Sequence, residues 1–172
     1  MSQNFTTLVR EHEESIVRAW MDGMYAEPRT ETPAILSYEQ LVDHLPDTLQ
    51  ELAQALDAGA TDAEISEATR RLRAHPQVRF HQGALIDEVA RELIIFRSVF
   101  NDFLWREGFN ATGGDLRELR DALRRADRFV DELLAQVVVV YAASLRPPVG
   151  TRTSVWPPPR RRRTDFPEDR RR

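Results

Sequence analysis

The sequence predicts an all-α protein with five to six helices, of which the last is the longest. Across residues 4–145, apolar side chains recur at the three- and four-residue spacings of an amphipathic helix. Three segments open with Ser, Thr or Asp followed three residues later by Glu or Gln, the pattern of a capped helix start. No segment sustains the alternation of apolar and polar residues that a strand requires, so no sheet is expected.

The first two predicted helices are separated by a polar loop that contains two prolines. The first helix is expected to end near Tyr25, just before that loop. Ser37 opens the second helix, in which Pro46 favours a kink or a new first turn, and Gly59 ends it. Their apolar faces consist of Leu8, Val9, Ile16, Ala19, Trp20 and Met24 in the first helix, and of Leu41, Leu45, Leu49, Leu52 and Leu56 in the second.

The remaining helices follow from the same spacing rules. Thr61 opens a helix that a proline and then a glycine perturb, and a strongly apolar helix covers residues 84–105. Residues 108–114, rich in Gly and Asn, are predicted to form a loop. The last helix is expected over residues 115–145, which corresponds to ~45 Å at a rise of 1.5 Å per residue. Its apolar face consists of Leu119, Leu123, Ala126, Phe129, Leu133 and Val137.

The chain divides into a helical body, residues 1–145, and a Pro- and Arg-rich tail, residues 146–172. The tail holds six of the ten prolines and nine arginines against three acids, so its net charge is +6 while the body carries −10. Few apolar residues are available for packing there, and the tail is expected to be disordered or partly polyproline II. Nucleic-acid binding through phosphate contacts and stacking is therefore one possible role of the tail. The candidate contacts are Trp156, Arg160, Arg161, Arg162 and Arg163.

Composition excludes several classes of protein. No apolar run approaches the ~20 residues that a membrane-spanning helix needs, and the N-terminus lacks the basic and apolar regions of a signal peptide. The chain has no cysteine, which excludes disulfides, thiolate metal sites and cysteine nucleophiles. No phosphate-binding glycine loop or nucleophile elbow is present, so no enzymatic activity is expected. These observations predict a soluble, cytoplasmic protein.

A group of polar residues interrupts the most apolar part of the sequence. His75, Arg79 and Gly83 are spaced by four and would share one side of a continuous helix. Glu92 and Arg97 follow in an otherwise apolar helix, where a charge needs a partner because an unpaired buried charge is costly. One interpretation is an interhelical salt bridge among Arg79, Glu92 and Arg97 that fixes helix register. The other is a polar site that a ligand or a partner protein engages.

The four histidines do not show the spacing of a helical metal site. No Glu-x-x-His motif occurs, and His75 and His81 are six residues apart, so no bound metal is expected. A haem or another tetrapyrrole would need an axial ligand that faces an apolar pocket. His81 is the first candidate for that ligand and His44 the second.

Four features, in this order, resemble the N-terminal domain of RsbRD-type RsbT co-antagonist proteins, a domain that also precedes many bacterial sensor histidine kinases. They are Trp20 near the end of the first helix, the Leu-Pro-x-x-Leu of residues 45–49, the pattern His75-x3-Arg79-x3-Gly83 with Glu92-x4-Arg97, and Arg128-Phe129 shortly before Asp131. The resemblance covers about residues 5–142. It implies a globin-like or bundled helical sensor domain, often dimeric and without enzymatic activity of its own.

The resemblance implies a sensor or adaptor of bacterial stress-response signalling that binds a kinase, a STAS protein or an anti-sigma-type protein. No STAS or kinase domain follows in this sequence, so any output is expected to pass to another chain. The domain is expected to dimerise through its long helices. The final helix is expected to carry the signal outward, unless residues 137–140 only complete the core. A tetrapyrrole-binding sensor and a nucleic-acid-binding tail stay as alternatives.

Overall fold

Residues 4–145 are described by a computed structural model, in which six helices of eight or more residues are joined by short helical turns. No strand occurs in this part of the chain, and the predicted all-α class with a long last helix is confirmed. The elements are α1 Phe5–Ala26, α2 Thr32–Ile35, α3 Tyr38–Val42, α4 Leu45–Asp57, α5 Asp62–Arg71, α6 Ala74–His81, α7 Ile86–Phe103, a π-helical turn Leu104–Gly108, α8 Phe109–Ala111 and α9 Leu116–Ser144.

The predicted helix starts are confirmed by their hydrogen bonds. Ser37 and Thr61 both form complete capping boxes, with Gln40 and Glu64 respectively as the third residue of the helix. Asp115 accepts hydrogen bonds from the backbone N–H groups at positions 117 and 118, which begins α9. These side chains satisfy backbone donors that have no partner within the helix, so each start is encoded locally.

The predicted effect of Pro46 is also confirmed. The chain does not run as one helix through this point, because α3 ends at Val42 and α4 begins at Leu45 with proline in its first turn. Proline has no N–H to donate, and the first turn of a helix is where that loss costs nothing. The break leaves the last carbonyl groups of α3 free to accept hydrogen bonds from elsewhere.

The segment after α7 differs from the prediction. Residues 104–111 stay helical, and the loop is confined to the four residues before α9. Gly113 and Gly114 have φ values of +62° and +84°, and it is these two that end the helix. Gly108 remains helical and lies against α9, where a Cβ would come within 3.2 Å of Leu119 Cδ1. Packing against α9 therefore overrides the local preference for a loop.

Helix α7 occupies the middle of the bundle. It packs against α1 on one side and against α9 on the other, while α4 contacts α1 and α9, and α5 lies along α9. Three α7 side chains form an aromatic row within the core, in which Phe96 stacks on Phe100 and the ring of Phe103 is tilted by 49°. A polar residue on the buried face of α7 is therefore surrounded by other helices.

Helices α1 and α7 come so close at Gly23 that a side chain does not fit there. A Cβ at this position would lie 2.6 Å from Cγ2 of Ile95, well inside van der Waals contact. The absence of a side chain on Gly23 is therefore what allows this helix crossing.

We expect Gly23→Ala to lower the free energy of unfolding by about 1–2 kcal/mol, measured by urea denaturation. Overpacking costs ~1–3 kcal/mol, and the better helix propensity of Ala returns ~1 kcal/mol. In an Ile95→Ala background the clash is absent, so the same change should be neutral or stabilising. Equal losses in the two backgrounds would contradict the proposed contact.

None of the helices formed by residues 4–145 combines the length and the apolarity that crossing a membrane requires. Helix α9 ends at Ser144, in agreement with the predicted end near Leu145. The predicted tail, including Trp156 and the arginines of residues 160–163, lies outside the described residues.

Candidate functional site

A buried ion pair joins α6 to α7 at the centre of the fold. The Nε–H of Arg79 donates to both carboxylate oxygens of Glu92, at 3.2 and 3.0 Å, and the two side chains are 0% and 1% exposed. Nη1 of Arg79 donates to the Gln40 carbonyl and to Oε1 of Gln82, both at 2.9 Å. Nη2 donates to the Leu41 carbonyl at 2.9 Å. The guanidinium group therefore ties α3, α6 and α7 together.

The carbonyls that Arg79 binds belong to the last turn of α3. The last carbonyl groups of a helix have no partner inside it, and they form the negative end of its dipole. Gln40 and Leu41 are left in this state because α3 ends at Val42 and does not continue into α4 as one helix. The buried guanidinium group of Arg79 therefore contacts both the Glu92 carboxylate and the C-terminus of α3.

Glu92 receives further contacts from α1 and from a second residue of α6. The indole Nε1–H of Trp20 donates to the Glu92 carbonyl at 3.1 Å, which connects α1 to the site. His75 Nε2 lies 3.5 Å from Glu92 Oε2. Burial raises the pKa of the Glu92 carboxyl, but His75 and the charge of Arg79 outweigh it and hold the pKa below its usual value. Glu92 is therefore ionised at neutral pH.

Two histidines stack beside this ion pair. The rings of His44 and His75 are 3.6 Å apart between centroids and 15° from parallel, and the Trp20 indole meets His44 edge-on at 5.8 Å. His44 Nδ1 and His75 Nε2 are both buried and form no hydrogen bond. Burial, with the neighbouring His75, lowers the pKa of His44 to about 3. At neutral pH the His44 imidazole is therefore uncharged.

A small cavity of about 20 Å³ adjoins the stacked histidines. A space of ~10–15 Å³ is enough for one water molecule, whereas sites for small organic ligands measure ~300–1,000 Å³. The cavity beside His44 therefore has room for a water molecule and none for a tetrapyrrole. Its polar lining residues are His44, Thr48, His75, Glu92 and Gln136, and its apolar ones are Trp20, Leu45, Leu72, Pro76, Leu93, Phe96, Leu133 and Val137.

The structure brings together only part of the predicted polar group. His75, Arg79 and Glu92 meet as described, but α6 ends at His81, so Gly83 is not on the same helix face. Gly83 lies in the turn before α7 with a φ of +85°, which ends α6 and reverses the chain. The spacing of four residues required a continuous helix, and the positive φ at Gly83 breaks it.

Arg97 also lies outside the buried group. Its guanidinium binds Asp131 of α9 and lies 3.9 Å from Asp127, with its side chain 31% exposed. The predicted three-residue salt bridge is thus wrong in its third member. Arg97 follows Glu92 by five residues on α7, more than one turn, and the nearest acids to it belong to α9.

The two predicted axial-ligand candidates have different surroundings. His81 is exposed at the end of α6, with its ring 5.8 Å from that of Phe80. The His44 side chain is 11% exposed, and its neighbours are His75, Trp20 and a cavity of the size of one water molecule. A tetrapyrrole site at either residue is not supported by this arrangement.

Sequence reasoning missed the position of His44 beside His75. His44 directly precedes α4 and His75 lies in the first turn of α6, and no spacing rule connects residues so far apart in the chain. The available signal was the Leu-Pro pair that follows His44, which predicts a helix start and hence a buried end. From this signal His44 could be expected near the core, but its contact with His75 could not be predicted.

Residues 14–154 match the family described as the RsbT co-antagonist protein rsbRD N-terminal domain. The chain belongs to this family. Neither a curated protein nor a solved structure gives a match. The matched range contains the whole buried site, and it continues past the last described residue. The predicted resemblance is confirmed.

Membership makes this RsbRD N-terminal domain a stress-response signalling domain of the RsbT co-antagonist type, a regulatory class. Among the residues on which the resemblance depends, Trp20, His75, Arg79 and Glu92 meet in one buried cluster. The features that identify the family in this sequence therefore also hold α1, α3, α6 and α7 together. We call these four residues with His44 the central cluster.

Proposed function

We propose that this RsbRD N-terminal domain acts by binding a kinase, a STAS protein or an anti-sigma-type protein, and not by catalysis. The family match is the observation that carries the proposal, because the family consists of regulatory signalling domains. The burial of the central cluster supports it. Arg79 and Glu92 are 0% and 1% exposed, so a substrate in solution has no access to the charged groups.

Helix α9 supplies the surface that we assign to the partner. Its apolar run over residues 137–140 was expected either to complete the core or to carry a signal outward, and only part of it lies in the core. Val137 is buried, whereas Val138 and Val139 are 56% and 66% exposed. The exposed valines continue toward Leu145, which is 73% exposed. Apolar side chains grouped at the end of a helix favour a protein contact.

A groove of about 600 Å³ runs beside these valines, between α9 and the α5–α6 region. Val139 and Ala143 give it an apolar wall, and Arg70 and Arg73 line the other side. Arg70 is paired with Glu67 and Glu132 also lines the groove, so Arg73 carries the positive charge of this side. We therefore assign the groove to a partner segment that presents apolar side chains flanked by Asp or Glu.

Partner binding is tested by affinity capture from the cytoplasmic extract of the native bacterium. The full-length protein is expected to retain a kinase, a STAS protein or an anti-sigma factor, identified by mass spectrometry. Val139→Glu should weaken that capture about tenfold or more, because a charge in an apolar contact costs upward of ~1.4 kcal/mol. Ile94→Glu is the matched control, since Ile94 on α7 is 53% exposed and lies away from the groove.

Two results would overturn the proposal. Equal capture by the Val139→Glu and Ile94→Glu variants would remove the groove from the interface. Retention of nucleic acid alone, and only when residues 146–172 are present, would transfer the function to the tail.

A homodimer forms part of the proposal, since the resemblance implies a domain that is often dimeric. Sedimentation equilibrium of the full-length protein should give a mass twice that of the chain. A monomer throughout the micromolar range would contradict this part without affecting the partner groove.

A further inference from the structure

Three side chains of the central cluster place possible metal-ligating atoms close together. His44, His75 and Glu92 each offer one ligand atom, and these atoms all lie within 4.8 Å of one another. They come from the start of α4, the first turn of α6 and the middle of α7. The Arg79–Glu92 pair accounts for how the helices are locked together. It leaves His44 Nδ1 and His75 Nε2 buried without a well-formed hydrogen bond. Their nearest acceptors are the carboxylates of Asp43 at 3.4 Å and Glu92 at 3.5 Å, whereas buried polar atoms are nearly always hydrogen-bonded.

We propose that His44, His75 and Glu92 bind one divalent transition-metal ion, with Zn²⁺ as the best-suited ion. Two imidazoles and one carboxylate are a common set of protein ligands for zinc, completed by a water molecule. In a tetrahedral shell with bonds of ~2.0–2.1 Å, neighbouring ligand atoms lie about 3.3 Å apart. His75 Nε2 and Glu92 Oε2 are 3.5 Å apart, close to that value.

The adjoining cavity supplies the remaining position of such a site. Its volume of about 20 Å³ accommodates one water molecule, and both histidines and Glu92 line it. Gln136 Oε1 is also buried there without a hydrogen-bond partner. A water molecule bound to the metal could donate a hydrogen bond to Gln136 Oε1.

The proposed ligands have charged neighbours of both signs. Arg79 holds both carboxylate oxygens of Glu92 and fixes the orientation of that ligand. Asp43 Oδ1 lies 3.4 Å from His44 Nδ1 and adds a second negative charge at the edge of the cluster.

Metal binding has a geometric consequence for the two histidines. Their rings are stacked almost parallel, so their in-plane lone pairs do not converge on one point. One ring must turn toward the cavity for both nitrogens to reach the same ion. The ring stack is therefore a feature of the metal-free domain and is lost on binding.

The direct test is a calorimetric titration of Zn²⁺ into the full-length protein, prepared without a histidine tag and stripped with a chelator. We expect one ion per chain. His44→Asn and His75→Asn should each weaken binding by about tenfold or more, since even outer-shell changes cost that much at metal sites. His81→Asn is the matched control, because His81 is exposed and outside the cluster. Absence of binding, or equal affinity in all four proteins, would overturn the proposal.

A second measurement leaves the cluster itself intact. In a His12→Asn/His81→Asn double variant the only imidazoles are those of His44 and His75. Addition of Zn²⁺ should shift the side-chain nitrogen NMR signals of both. If neither or only one signal shifts, the two-histidine site is wrong, and the cavity is then a site for ordered water. Neither experiment needs a signalling partner, so failure here leaves the proposed function untouched.

Discussion

Replacing Glu92 with alanine is expected to lower the free energy of unfolding by about 3–5 kcal/mol. The change leaves the guanidinium group of Arg79 buried without its carboxylate, and the side chain, 0% exposed, has no route to solvent. Urea denaturation in the presence of a chelator measures the effect without any contribution from bound metal.

The matched control for this change is Glu51→Ala. Glu51 forms an ion pair with Arg71 at 2.6 Å, but the Arg71 side chain is 54% exposed, so the loss should stay within about 1 kcal/mol. A loss below about 0.5 kcal/mol for Glu92→Ala would contradict the buried pair. The double variant Arg79→Met/Glu92→Leu should regain only part of the stability. It removes both charges, yet it leaves the carbonyls of Gln40 and Leu41 without a donor.

The second large effect is expected at Trp20. Trp20→Ala removes a fully buried indole that contacts His44 and lines the cavity. The space left by removing a buried indole lowers the free energy of unfolding by about 3–5 kcal/mol. Trp20→Phe retains most of the volume and loses the hydrogen bond to the Glu92 carbonyl, for which we expect about 1–2 kcal/mol.

Trp105 provides the control for the Trp20 variants. It is 58% exposed in the π-helical turn, so Trp105→Ala should change the free energy of unfolding by no more than about 0.5 kcal/mol. Similar losses at the two tryptophans would mean that Trp20 does not anchor α1 to α7. Chemical denaturation followed by circular dichroism suits all of these variants, because it does not depend on tryptophan fluorescence.

Much of the secondary structure could be predicted because its signals are local. The side chains of Ser37, Thr61 and Asp115 bond backbone N–H groups within three residues, so a short stretch of sequence contains both partners. The break at Pro46 is local for the same reason, since the missing N–H belongs to the residue itself. The apolar faces of α1 and α9 follow from helical spacing alone.

Predictions failed where a neighbour in space changed the outcome. Residues 108–111 were predicted to belong to a loop, yet they stay helical, and Gly108 packs against α9. Arg97 was expected beside Glu92 and instead binds Asp131 of α9. In both places the deciding group belongs to a helix that lies further along the chain.

The sequence by itself determined the class of this protein, the helix boundaries that capping side chains encode, the family, and the need for Arg79 and Glu92 to be paired. A buried charge requires a partner wherever it lies, so the pairing is a property of the residues. Only the tertiary structure decided that His44 stacks on His75 beside that pair and that a cavity adjoins them. Neighbours from separate helices are set by how the bundle packs, because helical spacing relates only residues within the same helix.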